Sequence, residues 1–408
     1  MLNSCSYIVV SNVVIKIVFG VSCPLIIQMP VFIYISWGVA CAYALLMVLY
    51  KIGWGKQPFF FMEDSYTPAT KISVIIPARN EEENIESCLN SILAQNYPHH
   101  LLQVIVVDDH STDNTAAIIK SFSIQGVQYV SLAEHLQQNE NIVAYKKLAL
   151  ATGIAASNGD LVVTTDADCT AGKDWLKNIA AIYERQQPVM VVAPVSFTND
   201  NSIVQLFQSL DFMSMQGITA ATLQLKLGNM CNGANLAFSK TAYEAVGRYK
   251  GIDHIASGDD YLLMTKLAAR YPGRITYLKS VDAIVDTPPQ PDWKGFLQQR
   301  IRWASKSGKY GDHKLTVVLM LVYLFNFLFF PLLIFVLFNT SYVLHFVGIL
   351  AVKILFEIIY LRPVSSFFNK KRQLWVFPFL QPLHIAYIIT AGLMGFAGVY
   401  QWKGRSVR

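Results

Sequence analysis

Two aspartates separated by one residue stand where a divalent cation could be held. Asp166 and Asp168 directly follow the apolar run at residues 161–165. Alternate residues of a strand project to the same side, so both carboxylates are predicted to face one cleft. Close carboxylates repel each other unless a cation lies between them, and protein-bound Mg²⁺ usually keeps phosphate oxygens as further ligands. A simple turn is the alternative, because aspartate is common where strands end.

Two further acidic pairs follow apolar or glycine-containing segments. Asp108 and Asp109 end the run at residues 104–107 and could accept hydrogen bonds from a base N–H or a ribose hydroxyl. Helix capping ahead of Asp113 and the acidic pocket of a receiver domain are the alternatives, although the later motifs have no place in a receiver fold. Asp259 and Asp260 open an amphipathic helix, where either is an N-cap or a general base.

Two polar segments could contact a substrate. In the segment at residues 299–303 (QRIRW), guanidinium groups match phosphate geometry and would stabilise a departing diphosphate. Arginine and tryptophan at a bilayer edge need no such role, and in isolation this segment favours a membrane anchor. The segment at residues 232–235 (NGAN) places amides suitable for sugar hydroxyls, or is only a turn before a strand. Phe212, Met213 and Met215, on a predicted helix at residues 201–225, are interpreted as core or lipid-edge packing.

These residues are positioned by alternating strands and helices. Short β-branched runs at residues 71–77, 102–107, 127–132 and 161–165 predict strands, and the segments at 81–94, 113–122 and 144–157 predict helices. This alternation is typical of βαβ units in a parallel sheet. Ligands bind such sheets at the carboxyl ends of the strands, where the polar motifs cluster. The predicted fold class is therefore α/β.

The two ends of the chain are predicted to lie in a membrane. Hydrophobic residues make up 53% of the 408 residues and charged residues only 15%, which excludes a disordered chain. Residues 31–50, 315–338 and 342–361 are each about long enough to cross a bilayer. Residues 7–28 form either a further span or an upstream extension. Residues 374–400, interrupted by Pro378 and Pro382, form either a span or an interfacial piece followed by one.

Charges near these segments predict their orientation. The basic loop at residues 362–373 is expected in the cytoplasm, with the middle domain. A third C-terminal span would place the basic tail on the opposite side. Lys353 and Glu357 share a helix face within one span and can pair. No basic stripe with interleaved aromatics indicates a nucleic-acid partner, and nothing indicates an oligomeric state.

Taken in order, the motifs resemble those of membrane-bound family 2 glycosyltransferases with the GT-A fold. The resemblance runs from about residue 72 to residue 303 and includes the flanking spans. Each motif is weak alone, but their order and spacing together are specific. The motifs lie at residues 74–82 (VIIPARNEE), 104–115 (VIVVDDHSTDNT), 146–150, 165–169 (TDADC), 232–238 (NGANLAF), 257–263 (SGDDYLL), 285–287 and 299–303 (QRIRW).

The resemblance implies a role for each matching residue. Nucleotide-sugar binding is implied for Pro77, Arg79, Glu81, Asp108, Asp109, Lys146 and Asp166. Mn²⁺ or Mg²⁺ would be bound by Asp168 with Asp166, and Asp260 or Asp259 would be the catalytic base. The acceptor and diphosphate end would be formed by Asn232, Gly233, Gln299, Arg302 and Trp303.

The implied activity is inverting transfer from a nucleotide sugar, expected to be a UDP-sugar, to a hydroxyl of a lipid or lipid-linked glycan. A processive polysaccharide synthase and a non-catalytic nucleotide-binding membrane protein are the alternatives. The chain departs from the family in its base motif, which reads Asp-Asp rather than Glu-Asp. Its few C-terminal spans also weaken the case for processivity.

The predicted organisation has five parts. They are an uncertain apolar segment at 1–28, a transmembrane helix and interface at 29–56, a GT-A domain at 57–312, a C-terminal membrane region at 313–402 and a basic tail at 403–408. The expected location is a bacterial inner membrane, with the catalytic domain in the cytoplasm.

Overall fold

The computed structural model describes residues 24–135, 144–198, 202–255, 258–305, 313–397, 400–402 and 405–407. Most of the predicted segment 1–28, Ser257 of the second acidic motif, and residues 403, 404 and 408 of the predicted tail lie outside the described residues. The strands are β1 Ile72–Ala78, β2 Leu102–Asp108, β3 Val127–Ser131, β4 Leu161–Thr164, β5 Thr170–Ala171, β6 Met190–Val192, β7 Val195–Phe197, β8 Leu236–Ser239, β9 Ile275–Tyr277, β10 Val285–Thr287, β11 Tyr400–Trp402 and β12 Arg405–Val407. The helices are α1 Pro24–Lys56, α2 Ile85–Leu93, α3 Thr115–Ser121, α4 Leu132–His135, α5 Tyr145–Ala156, α6 Trp175–Gln186, α7 Ile203–Leu225, α8 Lys240–Ala245, α9 Asp259–Arg270, α10 Trp293–Ala304, α11 His313–Phe327, α12 Phe329–Phe338, α13 Val343–Phe367 and α14 Phe377–Ala397.

A seven-stranded sheet in the order β3-β2-β1-β4-β8-β6-β9 forms the centre of the middle domain. The first four strands in this order pair in parallel, and β8 runs antiparallel to both of its neighbours. The α/β fold predicted from the alternation of strands and helices is therefore confirmed. Short buried apolar runs form these strands because both faces of the sheet are covered by helices.

The predicted elements agree closely with the observed ones, except at the start of α2. The helix predicted at 81–94 begins only at Ile85. The Glu81 backbone N–H donates instead to Thr115 Oγ1 at 2.8 Å, and that of Glu82 donates to Asp113 Oδ2 at 3.2 Å. These bonds to the β2–α3 loop stabilise a turn after β1, so the acidic residues remain at the carboxyl edge of the sheet.

Helix α7 lies between the sheet domain and the apolar helices. At Gly53 of α1, a Cβ would come within 2.8 Å of the Ala221 carbonyl oxygen, and at Gly217 one would come within 2.4 Å of the Tyr360 hydroxyl of α13. That hydroxyl donates to the carbonyl of Ser214 at 2.7 Å. Glycine therefore permits the close approach of α7 to both apolar helices.

Within the part of the chain that the structure describes, four helical segments are long and apolar enough to cross a membrane, by length and composition. They are Pro30–Lys56, His313–Phe338, Thr340–Phe367 and Phe377–Gly395. The last is one continuous helix that contains Pro382, so the predicted interruption by Pro378 and Pro382 does not occur. Pro378 lies in the first turn of α14, where an N–H would have no helical partner. Lys353 and Glu357 pair at 2.6 Å, as their spacing predicts.

Lys279 joins the domain to the end of α1. Its buried Nζ donates to the carbonyls of Trp54 at 2.8 Å and Gln57 at 3.1 Å, and lies 4.1 Å from the Trp54 ring centre. The variant Lys279→Met leaves both carbonyls without this donor and is expected to lose about 2 kcal/mol of stability. Thermal melts in detergent, with Lys173→Met as an exposed control, will measure the loss. An unchanged melting temperature would contradict it.

Candidate active site

The acidic motifs meet in one cleft at the carboxyl ends of β1, β2 and β4. Its volume is about 380 Å³. All of the residues to which the family resemblance gives a role line this cleft except Asp108. The predicted residues that line it are Pro77, Arg79, Glu81, Asp109, Lys146, Asp166, Asp168, Asn232, Gly233, Asp259, Asp260, Gln299, Arg302 and Trp303.

Asp166 and Asp168 follow the carboxyl end of β4, as expected, but they lie in a turn-containing segment and not on strand backbone. The turn, rather than strand alternation, brings both carboxylates to the cleft. Asp166 Oδ1 accepts a hydrogen bond from Lys146 Nζ at 2.7 Å, and the same Nζ lies 3.6 Å from Asp259 Oδ2. Burial disfavours the Lys146 cation, but these two carboxylates outweigh burial and raise the pKa of Lys146 above its ordinary value. Lys146 thus links the first acidic pair to the second.

The turn that carries Asp166 and Asp168, which we call the acidic turn, fits a divalent cation that takes only some of its ligands from the protein. Among the described residues, no three His, Cys, Asp or Glu side chains converge as a complete ligand set. Mg²⁺ and Mn²⁺ sites that use one or two carboxylates complete their coordination with phosphate and water oxygens. Because Lys146 takes one oxygen of Asp166, Asp168 is the main candidate for the protein ligand.

The β1 and β2 ends form the part of the cleft predicted for the nucleotide. Arg79 Nη1 donates to the Asp109 carbonyl at 2.6 Å and lies 3.9 Å from that residue's Oδ1. Asp108, by contrast, does not line the cleft. It is buried and accepts hydrogen bonds from Ser111 N and the Tyr129 hydroxyl, each at 3.2 Å. Asp108 therefore holds the loop that presents Asp109.

Helix α9 presents the second acidic pair from its first turn. Its N-cap is Gly258, with φ 78°, so neither aspartate is the cap. Asp260 accepts hydrogen bonds from the backbone N–H of Gly233 at 3.1 Å and of Tyr261 at 2.7 Å. Asp259 faces Lys146 instead. The two carboxylates thus have different surroundings. Asp260 is the one that bonds to the loop at residues 232–235, which we call the amide loop.

The amide loop contributes only part of its predicted polar surface. Asn232 and Gly233 line the cleft. Asn235 is fully buried, donates to the carbonyls of Pro194 and Ala283, and accepts from Trp175 Nε1. Asn235 therefore supports the loop and does not face a substrate.

Helix α10 forms the wall opposite the acidic turn. Gln299, Arg302 and Trp303 lie on its cleft face, whereas Arg300 is buried on another face against Asp211. Residues two apart point in different directions on a helix, so the two arginines cannot both face the cleft. The alternative in which both arginines of the QRIRW segment approach a diphosphate therefore does not hold for Arg300.

Several cleft residues escaped the sequence analysis. Phe212 packs in the hydrophobic core, as expected, and it also borders the cleft and stacks on Phe197 with ring centres 4.5 Å apart. No local pattern identifies these rings. Gln298 could have been found from its helical spacing to Arg302. The remaining unpredicted lining residues are Ala78, Ala149, Ala167, Ala234, Thr287, Pro288, Gln290 and Gly295.

Comparison with known proteins identifies the family. A family model described as glycosyl transferase family 2 matches residues 73–247, and one described as glycosyl transferase family group 2 matches residues 161–362. The chain belongs to glycosyltransferase family 2. The sequence resemblance is thereby confirmed.

Individual relatives of this family 2 chain match parts of it. Glycosyltransferase AglE of Haloferax volcanii is 32% identical over 191 residues, which are 46% of this chain and 58% of AglE. The Methanococcus voltae protein named dolichyl N-acetyl-alpha-D-glucosaminyl phosphate 3-beta-D-2,3-diacetamido-2,3-dideoxy-beta-D-glucuronosyltransferase is 32% identical over 28% of this chain and 34% of its own length. The chain spans about half the length of the first curated relatives it matches.

A solved structure shares the fold. It is the mannosyltransferase PcManGT from Pyrobaculum calidifontis in complex with GDP-Man and Mn²⁺. The TM-score is 0.51 at 19% identity, covering 90% of this chain and 96% of that one. The GT-A fold expected for the family is thus confirmed.

Proposed function

We propose that this chain is an inverting glycosyltransferase that moves a sugar from a nucleotide sugar to a hydroxyl of a lipid or lipid-linked glycan. One observation carries the proposal: the metal-type acidic turn and the Asp259–Asp260 pair share one cleft and are linked through Lys146. In this proposal the diphosphate lies at Asp166 and Asp168 and the base is Asp260, within a cleft of about 380 Å³ that can hold a sugar.

The donor lies along the β1 and β2 ends. Asp109, held in place by Arg79, accepts a hydrogen bond from the base, which for a UDP-sugar is uracil. Pro77 and Glu81 complete the nucleoside wall. Lys146 and the acidic turn lie at the diphosphate. Asp168, with Asp166 beside it, would hold Mn²⁺ or Mg²⁺, which would supply positive charge to stabilise the diphosphate. PcManGT, solved with GDP-Man and Mn²⁺, shares the fold and is consistent with this donor class.

The chain's own residues carry the proton and the developing charge. Asp260 accepts the proton of the acceptor hydroxyl as its oxygen bonds to the anomeric carbon. The bond from that carbon to the diphosphate oxygen breaks, and the electron pair leaves with the nucleoside diphosphate. Attack from the side opposite the leaving group inverts the anomeric configuration. Arg302 is placed to stabilise negative charge at this end of the cleft.

The acceptor enters from the side of α10 and α14. Two of the cleft's walls, α7 and α10, pack directly on apolar helices. A lipid anchored in the bilayer can therefore bring its hydroxyl to the cleft without leaving the membrane. The name of the Methanococcus voltae relative contains dolichyl N-acetyl-alpha-D-glucosaminyl phosphate, a lipid-linked sugar, in agreement with this acceptor class.

Helix α14 lies along the domain at the membrane surface in this proposal, and the other apolar segments cross the bilayer. Lys370, just before α14, donates to the Phe197 carbonyl at 2.7 Å, Tyr387 in its middle bonds to α7, and Gly395 at its end packs against Ala304. A helix of 21 residues is about 30 Å long. If α14 crossed the bilayer, one end would lie far from the domain.

This topology puts the domain, the basic loop at 362–373 and the C-terminal tail on the cytoplasmic side. It agrees with the basic sequence of the tail. We expect green fluorescent protein fused after residue 408 to fluoresce, and alkaline phosphatase fused there to be inactive. Fusions after residue 339, between α12 and α13, are the control and should behave in the opposite way. Active phosphatase at residue 408 would show that α14 crosses the membrane.

The proposed activity is tested by donor turnover. Purified full-length protein in detergent with Mn²⁺ and membrane lipid is given a panel of UDP-sugars, and UDP release and lipid-linked product are measured. Release from one donor, lost in Asp168→Asn and Asp260→Asn, supports the proposal, and product length separates single transfer from polymerisation. UDP binding by calorimetry without turnover of any UDP-, GDP- or other nucleotide sugar would overturn it.

A further inference from the structure

A buried carboxylate outside the cleft joins three helices. Asp211 of α7 pairs with Arg300 of α10: Arg300 Nε donates to Oδ2 at 2.8 Å, and Nη2 lies 2.7 Å from the same oxygen. From α14, the Tyr387 hydroxyl donates to Oδ1, and His384 Nε2 lies 4.0 Å from it. The side chains of Asp211 and Arg300 are only 5% and 4% exposed, so this pair cannot act by binding solute from bulk water.

Arg300 connects Asp211 to two residues predicted to contact the acceptor. Its Nη1 donates to Gln299 Oε1 at 2.8 Å, and its guanidinium lies 4.3 Å from the ring centre of Trp303. Gln299 and Trp303 both line the cleft. The orientation of one buried guanidinium therefore restrains side chains on the cleft face of α10.

The same carboxylate connects α10 to the apolar helices. Lys353 Nζ of α13 lies 3.2 Å from His384 Nδ1, 2.7 Å from Gln381 Oε1 and 2.6 Å from Glu357 Oε1. Glu357 also accepts from the Tyr43 hydroxyl of α1. We call this set of side chains the polar relay: Tyr43, Glu357, Lys353 and His384 lead to Asp211, which is also contacted by Tyr387 and Arg300.

We propose that Asp211 is a positioning residue for glycosyl transfer: through the polar relay it fixes the acceptor-side face of α10 against the membrane-associated helix α14. Buried ion pairs contribute little net stability compared with apolar residues of similar volume, whereas they can define a single arrangement. In this protein the Asp211–Arg300 pair fixes the positions of the Gln299 and Trp303 side chains in the cleft. This inference rests on the proposed function.

The test separates positioning from simple structural support. Asp211→Asn and Tyr387→Phe weaken the relay, and Thr390→Val, which removes one hydroxyl elsewhere on α14, is the matched control. In Asp211→Asn we expect transfer to the lipid acceptor to fall by roughly 10²-fold, as misplacement of about 1 Å can cause. UDP affinity should change less than twofold, because the nucleotide end lies at β1 and β2. Tyr387→Phe should also reduce transfer to the lipid acceptor, whereas Thr390→Val should transfer at the wild-type rate.

A paired variant keeps the test valid if Asp211→Asn fails to fold. Asp211→Leu combined with Arg300→Met removes both charges and should retain the wild-type melting temperature within a few degrees, yet leave transfer low. Hydrogen–deuterium exchange of the full-length chain should show faster exchange in α10 for every relay variant, with β1, β2 and β4 unchanged.

The outcomes distinguish the two proposals. Wild-type transfer in the paired variant, or unchanged exchange of α10 in Asp211→Asn, would overturn the positioning role. Absence of turnover in the wild type itself would count against the proposed function, and the exchange of α10 would still decide whether Asp211 holds this helix.

Discussion

We expect transfer to fall by about 10²–10⁴-fold in the Asp260→Asn variant, which is the usual effect of removing a general base. The asparagine is nearly the same size and can keep one of the two backbone hydrogen bonds that Asp260 accepts from Gly233 and Tyr261. Helix α9 should survive because its N-cap is Gly258. Product formation with saturating donor measures the loss, and UDP affinity should remain close to that of the wild type.

Asp259→Asn is the matched control for this prediction. Asp259 lies 3.6 Å from Lys146 and supports the donor end. Its loss should mainly weaken donor binding and raise the KM for the nucleotide sugar, with a smaller fall in kcat than in Asp260→Asn. If Asp259→Asn instead abolishes kcat while Asp260→Asn leaves it high, Asp259 is the base.

Removal of the divalent cation is expected to have the second large effect. Charge stabilisation by a metal supplies several kcal/mol, so both chelation by EDTA and the Asp168→Asn variant should reduce turnover by roughly 10³-fold. Mn²⁺ or Mg²⁺ should restore the chelated wild type but not the variant. Calorimetry gives an independent measurement, since Mn²⁺ should tighten UDP binding to the wild type and leave binding to Asp168→Asn unchanged.

Asp282→Asn, which removes an exposed carboxylate of the same domain, controls for the change in charge. It should retain metal-dependent turnover. Full activity of the wild type in EDTA would contradict a metal at the acidic turn, and the positive charge of Lys146 and Arg302 would then have to stabilise the diphosphate.

Local sequence determined the elements of this protein and most residues of its candidate site. The strands β1, β2, β3 and β4 were predictable because each is a buried β-branched run that stops at polar residues. The motif positions were predictable because parallel strands bring their carboxyl ends to one edge. The pairing of Lys353 with Glu357 followed from helical spacing alone.

Only the tertiary structure decided which neighbours in the chain share the cleft. Asp108 and Asp109 are adjacent, yet one supports a loop and the other faces the cleft. Arg300 and Arg302 separate because helix rotation points one toward Asp211, 89 residues away in sequence. Phe212 and Met213 are adjacent core residues of α7, yet only Phe212 borders the cleft, and nothing in the local sequence distinguishes the two. Element type depends on nearby residues, whereas the direction a side chain faces in a site depends on packing between distant segments.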